Sequence, residues 1–168
     1  MHPVAELARR TVEVYVREGR VLQTPDPLPP ELLHESGVFV SLKKHGELRG
    51  CIGTYIPTCK SVGEEIIANA ISAATKDPRF SPVEENELKD LTYSVDILSY
   101  PEKIHGLHDL DPRKYGIIIV SGSRKGLLLP DLEGVDTVEE QLRITKMKAG
   151  ILPHEEAEIY RFEVKRYK

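Results

Sequence analysis

The sequence predicts an α+β fold in which a mainly antiparallel sheet is flanked by helices. Two pairs of β-forming runs are each joined by a short turn, which reads as two hairpins and therefore as antiparallel pairing. Three stretches place apolar residues at helical spacing between start and stop signals. The resulting order is helix, hairpin, helix, strand, hairpin, helix, strand, which is not the regular alternation of a parallel α/β chain.

The first helix is expected from about Pro3 to Glu18. Pro3 suits a first helical position, Gly19 suits a stop, and Val4, Leu7, Ala8, Thr11, Val12 and Tyr15 make one apolar stripe. Four prolines between Arg20 and Pro30 bar both helix and ladder pairing, so that stretch reads as a loop. Gly37 to Lys43 alternates Val38, Val40 and Leu42 with Phe39, Ser41 and Lys43, a strand pattern. A turn at 44–47 leads into a second strand from Leu48 to Tyr55.

Ser61 and Glu64 form a capping-box pattern, opening a helix that should run to about Lys76 and end before Asp77-Pro78. A short helical turn is expected near Pro82 to Leu88, and a strand from Thr92 to Ser99. Gly116–Ser121 and Gly126–Leu129 read as a second hairpin whose arms are apolar on both faces, hence central and covered. Asp136 with Glu139 repeats the capping pattern for a third helix that stops at Gly150. A last strand is expected from Glu158 to Tyr167, with Tyr160, Phe162 and Val164 on one face.

With 168 residues the chain fits one domain, 1–168, with room for a small lobe. A chain of this size buries roughly two-thirds of its unfolded surface, so it needs no metal or disulfide to fold. The apolar runs are far shorter than the roughly 20 residues of a membrane span. The start, MHPVAELARR, has no apolar signal core, and Cys51 and Cys59 are too few for a disulfide scaffold, so a cytoplasmic setting is expected. A net charge of −4 and the lack of aromatic stacking runs argue against nucleic-acid binding. Asn and Gln occur twice each against 30% charged residues, a composition that points to a heat-adapted source.

Leu48-Arg49-Gly50-Cys51-Ile52-Gly53 stands out chemically. Alternation along a strand puts Arg49, Cys51 and Gly53 on one face and Leu48, Gly50 and Ile52 on the other. Arg49 would then stand about 7 Å from Cys51, close enough to favour its thiolate. Gly50 and Gly53 weaken a strand and mark a bend or a place where something approaches the backbone. The plain alternative is that Cys51 is a small buried hydrophobe. In Lys76–Pro82 two prolines stiffen the chain, and Asp77 and Arg79 either bond each other as turn punctuation or present charge to a ligand. His105 and His108 lack a third ligand, and no phosphate loop, nucleophile elbow or iron–sulfur cysteine cluster is present, so neither a metal nor a cofactor is expected. Ser121–Gly126 reads as a solvated turn.

The Leu48–Gly53 signature resembles that of the AMMECR domain family. So do Gly37–Leu42, Ala70–Pro82 with its Asp77-Pro78-Arg79-Phe80 core, Glu87-Leu88, Ser94–Leu98, Gly126–Pro130, Lys148–Gly150 and Ile159–Phe162, in order along nearly the whole chain. The resemblance implies an α+β fold with a smaller second lobe and a cleft near the Arg-Gly-Cys segment. It also implies an association with a Memo-like protein and a radical S-adenosylmethionine enzyme, and hence a place in a modification pathway. Two functions follow. In one, the chain is an enzyme with Cys51 as nucleophile or thiol donor, Arg49 as its activator or anion grip, and Gly50, Gly53, Asp77 and Arg79 around the ligand. In the other it is a binding or adaptor module in which the arginines grip an anion or a protein partner.

Overall fold

The computed structural model describes residues 1–168 and divides them into two compact units, Met1–Leu98 with Lys165–Lys168, and Ser99–Val164. The elements are α1 (Pro3–Glu18), β1 (Val38–Lys44), β2 (Glu47–Thr54), α2 (Val62–Thr75), β3 (Leu91–Leu98), β4 (Glu102–Lys103), β5 (Gly116–Ser121), β6 (Arg124–Leu128), α3 (Val138–Ala149), β7 (Glu158–Phe162) and β8 (Val164–Tyr167). Short 3-10 helices lie at Pro30–Leu32, Glu85–Asp90 and Leu107–Asp109. The strands form two four-stranded sheets flanked by helices, so the α+β expectation holds.

In the first unit the sheet order is β2-β1-β3-β8. β1 and β2 join through His45 and Gly46, both at positive φ (50° and 81°), the turn whose twist matches a hairpin. Val38, Val40 and Leu42 of β1, and Tyr93, Val95 and Ile97 of β3, face the core. α1 and α2 cover them with Val4, Leu7, Ala8, Val12, Ile66 and Ala70. Each fully buried Val, Leu or Ile contributes about 1.5–3 kcal/mol, so this layer carries much of the unit's stability. α1 spans the expected residues; its end at Gly19 returns a bond to the Tyr15 carbonyl. Ser61 caps α2 by accepting the Glu64 N–H, while the Glu64 carboxylate takes the Lys60 N–H.

The second unit has the order β4-β7-β5-β6, with α3 packed on β5 and β6. Ile117, Ile119, Leu128, Leu110, Val135 and Ile151 form its core.

Three expectations are corrected. The second hairpin is not central in both arms: β5 is interior, but β6 is an edge strand whose Arg124 and Lys125 are exposed. The third helix is capped one residue later than expected, by Thr137, whose hydroxyl accepts the Glu140 N–H at 3.1 Å. The last strand is broken at Glu163, so β7 joins the second sheet while β8 joins the first, and Tyr160, Phe162 and Val164 do not share one strand face. No helix is long and apolar enough to cross a membrane.

Candidate functional site

β2 is the outermost strand of its sheet, which leaves one side of its backbone without a ladder partner. Side chains from 77–79 fill that vacancy at Cys51. Asp77 Oδ2 accepts the Cys51 N–H at 3.0 Å, and Arg79 Nη2 reaches the Cys51 carbonyl at 3.4 Å. The two also bond each other, Nε to Oδ1 at 3.0 Å and Nη2 to Oδ2 at 2.8 Å, and the Arg79 N–H adds a bond to Oδ1 at 3.0 Å. Arg79 holds the Asp77 carboxyl far below the usual carboxylate range; burial opposes this, and the N–H groups of Cys51 and Arg79 reinforce it. Asp77 is 2% exposed in its side chain and Arg79 56%, so the acceptor is buried and the donor is open to solvent.

Arg49 is not aligned with Cys51 as plain alternation predicts. Leu42 faces Gly50 and Lys43 faces Leu48, so Arg49 is the extra residue of a bulge. Its guanidinium pairs with Glu87, Nε to Oε1 at 2.9 Å and Nη2 to Oε2 at 3.0 Å. Lys44 Nζ adds a bond to Oε1 at 3.1 Å, and the Glu84 N–H one to Oε2 at 2.8 Å. The Arg49 fork holds the Glu87 carboxyl down at about 2; burial opposes this, and the Glu84 N–H and Lys44 assist.

Phe80 sits between the two arginines, its ring centre 5.9 Å from the Arg49 guanidinium carbon and 5.5 Å from that of Arg79. An open polar hollow of about 510 Å³ lies here, walled by Lys44, Arg49, Arg79, Phe80 and Asn86, with Glu84 and Glu87 also contributing. Three cations and two carboxylates line it; the Glu87 oxygens, like those of Asp77, are saturated by bonds within the protein while Arg79 keeps its Nη1 unused. The hollow therefore offers donors.

Cys51 Sγ takes a bond from Ser41 Oγ at 3.2 Å, its cross-strand partner. The expectation that Arg49 lowers the Cys51 pKa is overturned. Burial pushes the thiol up, and this outweighs the Ser41 bond and the attraction of Arg79, while the Asp96 and Asp77 carboxylates add to the rise. The cation that acts on the sulfur is Arg79. Asp96 is itself held by Arg166, at 2.7 and 2.9 Å.

Gly50 and Gly53 mark close approaches by the protein itself. A Cβ on Gly50 would stand 2.2 Å from the Ala73 carbonyl oxygen of α2, and one on Gly53 2.2 Å from the Phe39 ring. Residues 49–53, 77 and 79 are thus brought to one strand edge, with Glu87 and Phe80 as unforeseen members.

A second polar centre also escaped the sequence. Glu65, buried on α2, accepts four bonds: Thr58 N–H (2.7 Å) and Cys59 N–H (3.0 Å) on Oε1, Thr54 hydroxyl (2.9 Å) and Thr58 hydroxyl (2.7 Å) on Oε2. Burial alone would raise its pKa, but these bonds hold it below the ordinary value. Asn69 donates to Val38 O and Thr54 Oγ1 at 2.9 and 3.1 Å. Glu65 and Asn69 stand four apart on the buried face of α2 beside Ile66 and Ala70, and two polar residues on an apolar stripe are a readable sign of such a network. In the second unit a larger cavity of about 690 Å³ is lined mainly by apolar groups, among them Leu142, Met147, Ile151 and Ile159, with Glu139, Arg143 and Lys146 also on its wall.

A family model described as AMMECR1 matches residues 5–167. A Thermotoga maritima protein is 56% identical over 170 residues, which cover 99% of this chain and 98% of that one. A Clostridium acetobutylicum protein is 49% identical over 99% of this chain but only 36% of its own length. A crystal structure described as an uncharacterized protein from Pyrococcus horikoshii superposes with a TM-score of 0.90 at 36% identity, covering 97% of this chain and 88% of that one.

Proposed function

The chain belongs to the AMMECR1 family, and we propose that it works as a binding module that recognises a carboxylate- or phosphate-bearing ligand at the hollow beside β2. The observation that carries this reading is the half-exposed Arg79 guanidinium, clamped through Nε and Nη2 by buried Asp77 and keeping Nη1 unbonded, with the Phe80 ring alongside. A guanidinium fixed in this way loses little rotamer freedom when it grips an oxyanion. Lys44 and Asn86 supply further donors on the hollow's wall. A Memo-like protein or a radical S-adenosylmethionine enzyme in a shared cytoplasmic pathway is the partner class this reading favours for presenting the anion. The test is a titration of 15N-labelled protein with inorganic phosphate and with citrate. Saturable shifts at the Arg79, Phe80 and Asn86 amides, lost in Arg79→Lys, support the reading; shifts that are absent or unchanged in Arg79→Lys defeat it.

A second reading, thiol chemistry at Cys51, is favoured by the Ser41 hydroxyl bond to Sγ. It requires a substrate that replaces the present surroundings of the sulfur, because burial holds the thiol protonated. Retention of full pathway output by Cys51→Ser excludes it.

A further inference from the structure

The edge of β2 is only half closed. Cys51 directs its N–H and C=O away from β1, where Asp77 and Arg79 bind them. Outward and inward residues alternate along an antiparallel pair. Phe39 faces Gly53 and Ser41 faces Cys51, so Gly53 directs its own N–H and C=O to the same open side. Neither group makes a hydrogen bond within the protein. A carbonyl at one residue and the N–H two residues on point the same way from a strand. The Arg79 guanidinium on the Cys51 carbonyl and the Gly53 N–H are therefore two donors facing one strip of edge. Unpaired edges are usually blocked by charge, bulge or cover. Here Arg49 bulges on one side and the Asp77–Arg79 pair blocks the middle, while the half-buried Gly53 keeps its backbone groups unbonded.

We infer that the Gly53 edge takes the C-terminal end of an extended peptide from a partner protein, its backbone adding to β2 and its terminal carboxylate meeting Arg79. An added strand cannot run past Cys51, because Asp77 and Arg79 already hold that position. The strand must end there, and of the two kinds of chain end the C-terminal one carries an oxyanion for the unbonded Arg79 Nη1. Strand addition gives affinity through main-chain bonds, and the pocket at its end gives specificity. The inference rests on the reading of Arg79 as an anion grip and names its ligand class.

The experiment starts from free-acid hexapeptides randomised at their last four positions and selected on immobilised full-length protein. An enriched peptide is then titrated as the free acid, as the C-terminal amide, and with one backbone N-methyl group at each strand position in turn. The expected result is binding of the free acid, at least 10-fold weakening on amidation, similar weakening by one N-methyl position, and slowed hydrogen exchange at the Gly53 amide. Arg79→Lys should erase the difference between acid and amide. No enrichment, equal binding of acid and amide, or an unchanged Gly53 exchange rate overturns the inference. If phosphate still shifts the Arg79 amide in that case, the anion reading stands without the peptide; if phosphate is silent too, both fall.

Discussion

The Cys51 N–H is bonded not to a neighbouring strand but to a side chain, Asp77 Oδ2, at 3.0 Å. Asp77 therefore does the work of a strand carbonyl, and Arg79, on the Cys51 oxygen, that of a strand N–H. Bonds of this kind to a buried carboxylate contribute about 1.5–3 kcal/mol. Asp77→Asn should lower stability by about 2–3 kcal/mol in urea unfolding and speed hydrogen exchange at Cys51. A loss under 0.5 kcal/mol would show that the cap is dispensable.

Gly50 admits no side chain. The obstacle to a Cβ is the Ala73 main-chain oxygen at 2.2 Å, which no rotamer change can move. Gly50→Ala should cost about 3 kcal/mol or more by forcing α2 away from β2, read as a fall in Tm. Wild-type stability in this variant would mean that α2 and β2 are more loosely apposed.

Glu87 makes the protein acid-sensitive over a defined range. Its carboxyl is held at about 2, against an ordinary value of 4.5. A depressed carboxyl contributes stability that is complete above its unfolded value and is lost as pH falls toward the folded one. That window is pH 4.5 to 2, and the stake is about 3 kcal/mol at this low exposure. Glu87→Gln should be less stable at pH 7 and should show a flatter acid limb than wild type. Parallel limbs would assign the acid sensitivity elsewhere.

Cys51 should be a slow thiol. Burial raises its pKa and shields the sulfur. At pH 8 iodoacetamide should modify it about an order of magnitude more slowly in the folded protein than in urea, followed by mass spectrometry. Equal rates would restore the case for an activated thiolate.

The fold was legible wherever a local signal set it. Pro3 and Gly19 bracket α1, and Ser61 and Gly150 mark ends of α2 and α3. The cap at Thr137 and the break at Glu163 were missed because neighbouring residues satisfy the same local pattern, and tertiary pairing alone chooses between them. The site was legible in part for the same reason. Asp77 and Arg79, two residues apart across a proline, could be paired by eye. The partner of Arg49 could not, since Glu87 lies 38 positions away. A one-residue register shift then sent the guanidinium to Glu87, which strand alternation cannot foresee.

The break at Glu163 also bears on how the molecule is made. β8 returns to the first sheet only after the whole of Ser99–Val164 has intervened, and it brings Arg166, the partner of buried Asp96. During translation the first sheet therefore waits, with β3 as a provisional rim, until the ribosome has delivered the second unit. Ser99–Val164, by contrast, is contiguous in the chain. The first unit can be completed only after translation has passed residue 164, and until then β3 is an unpaired edge of the nascent sheet.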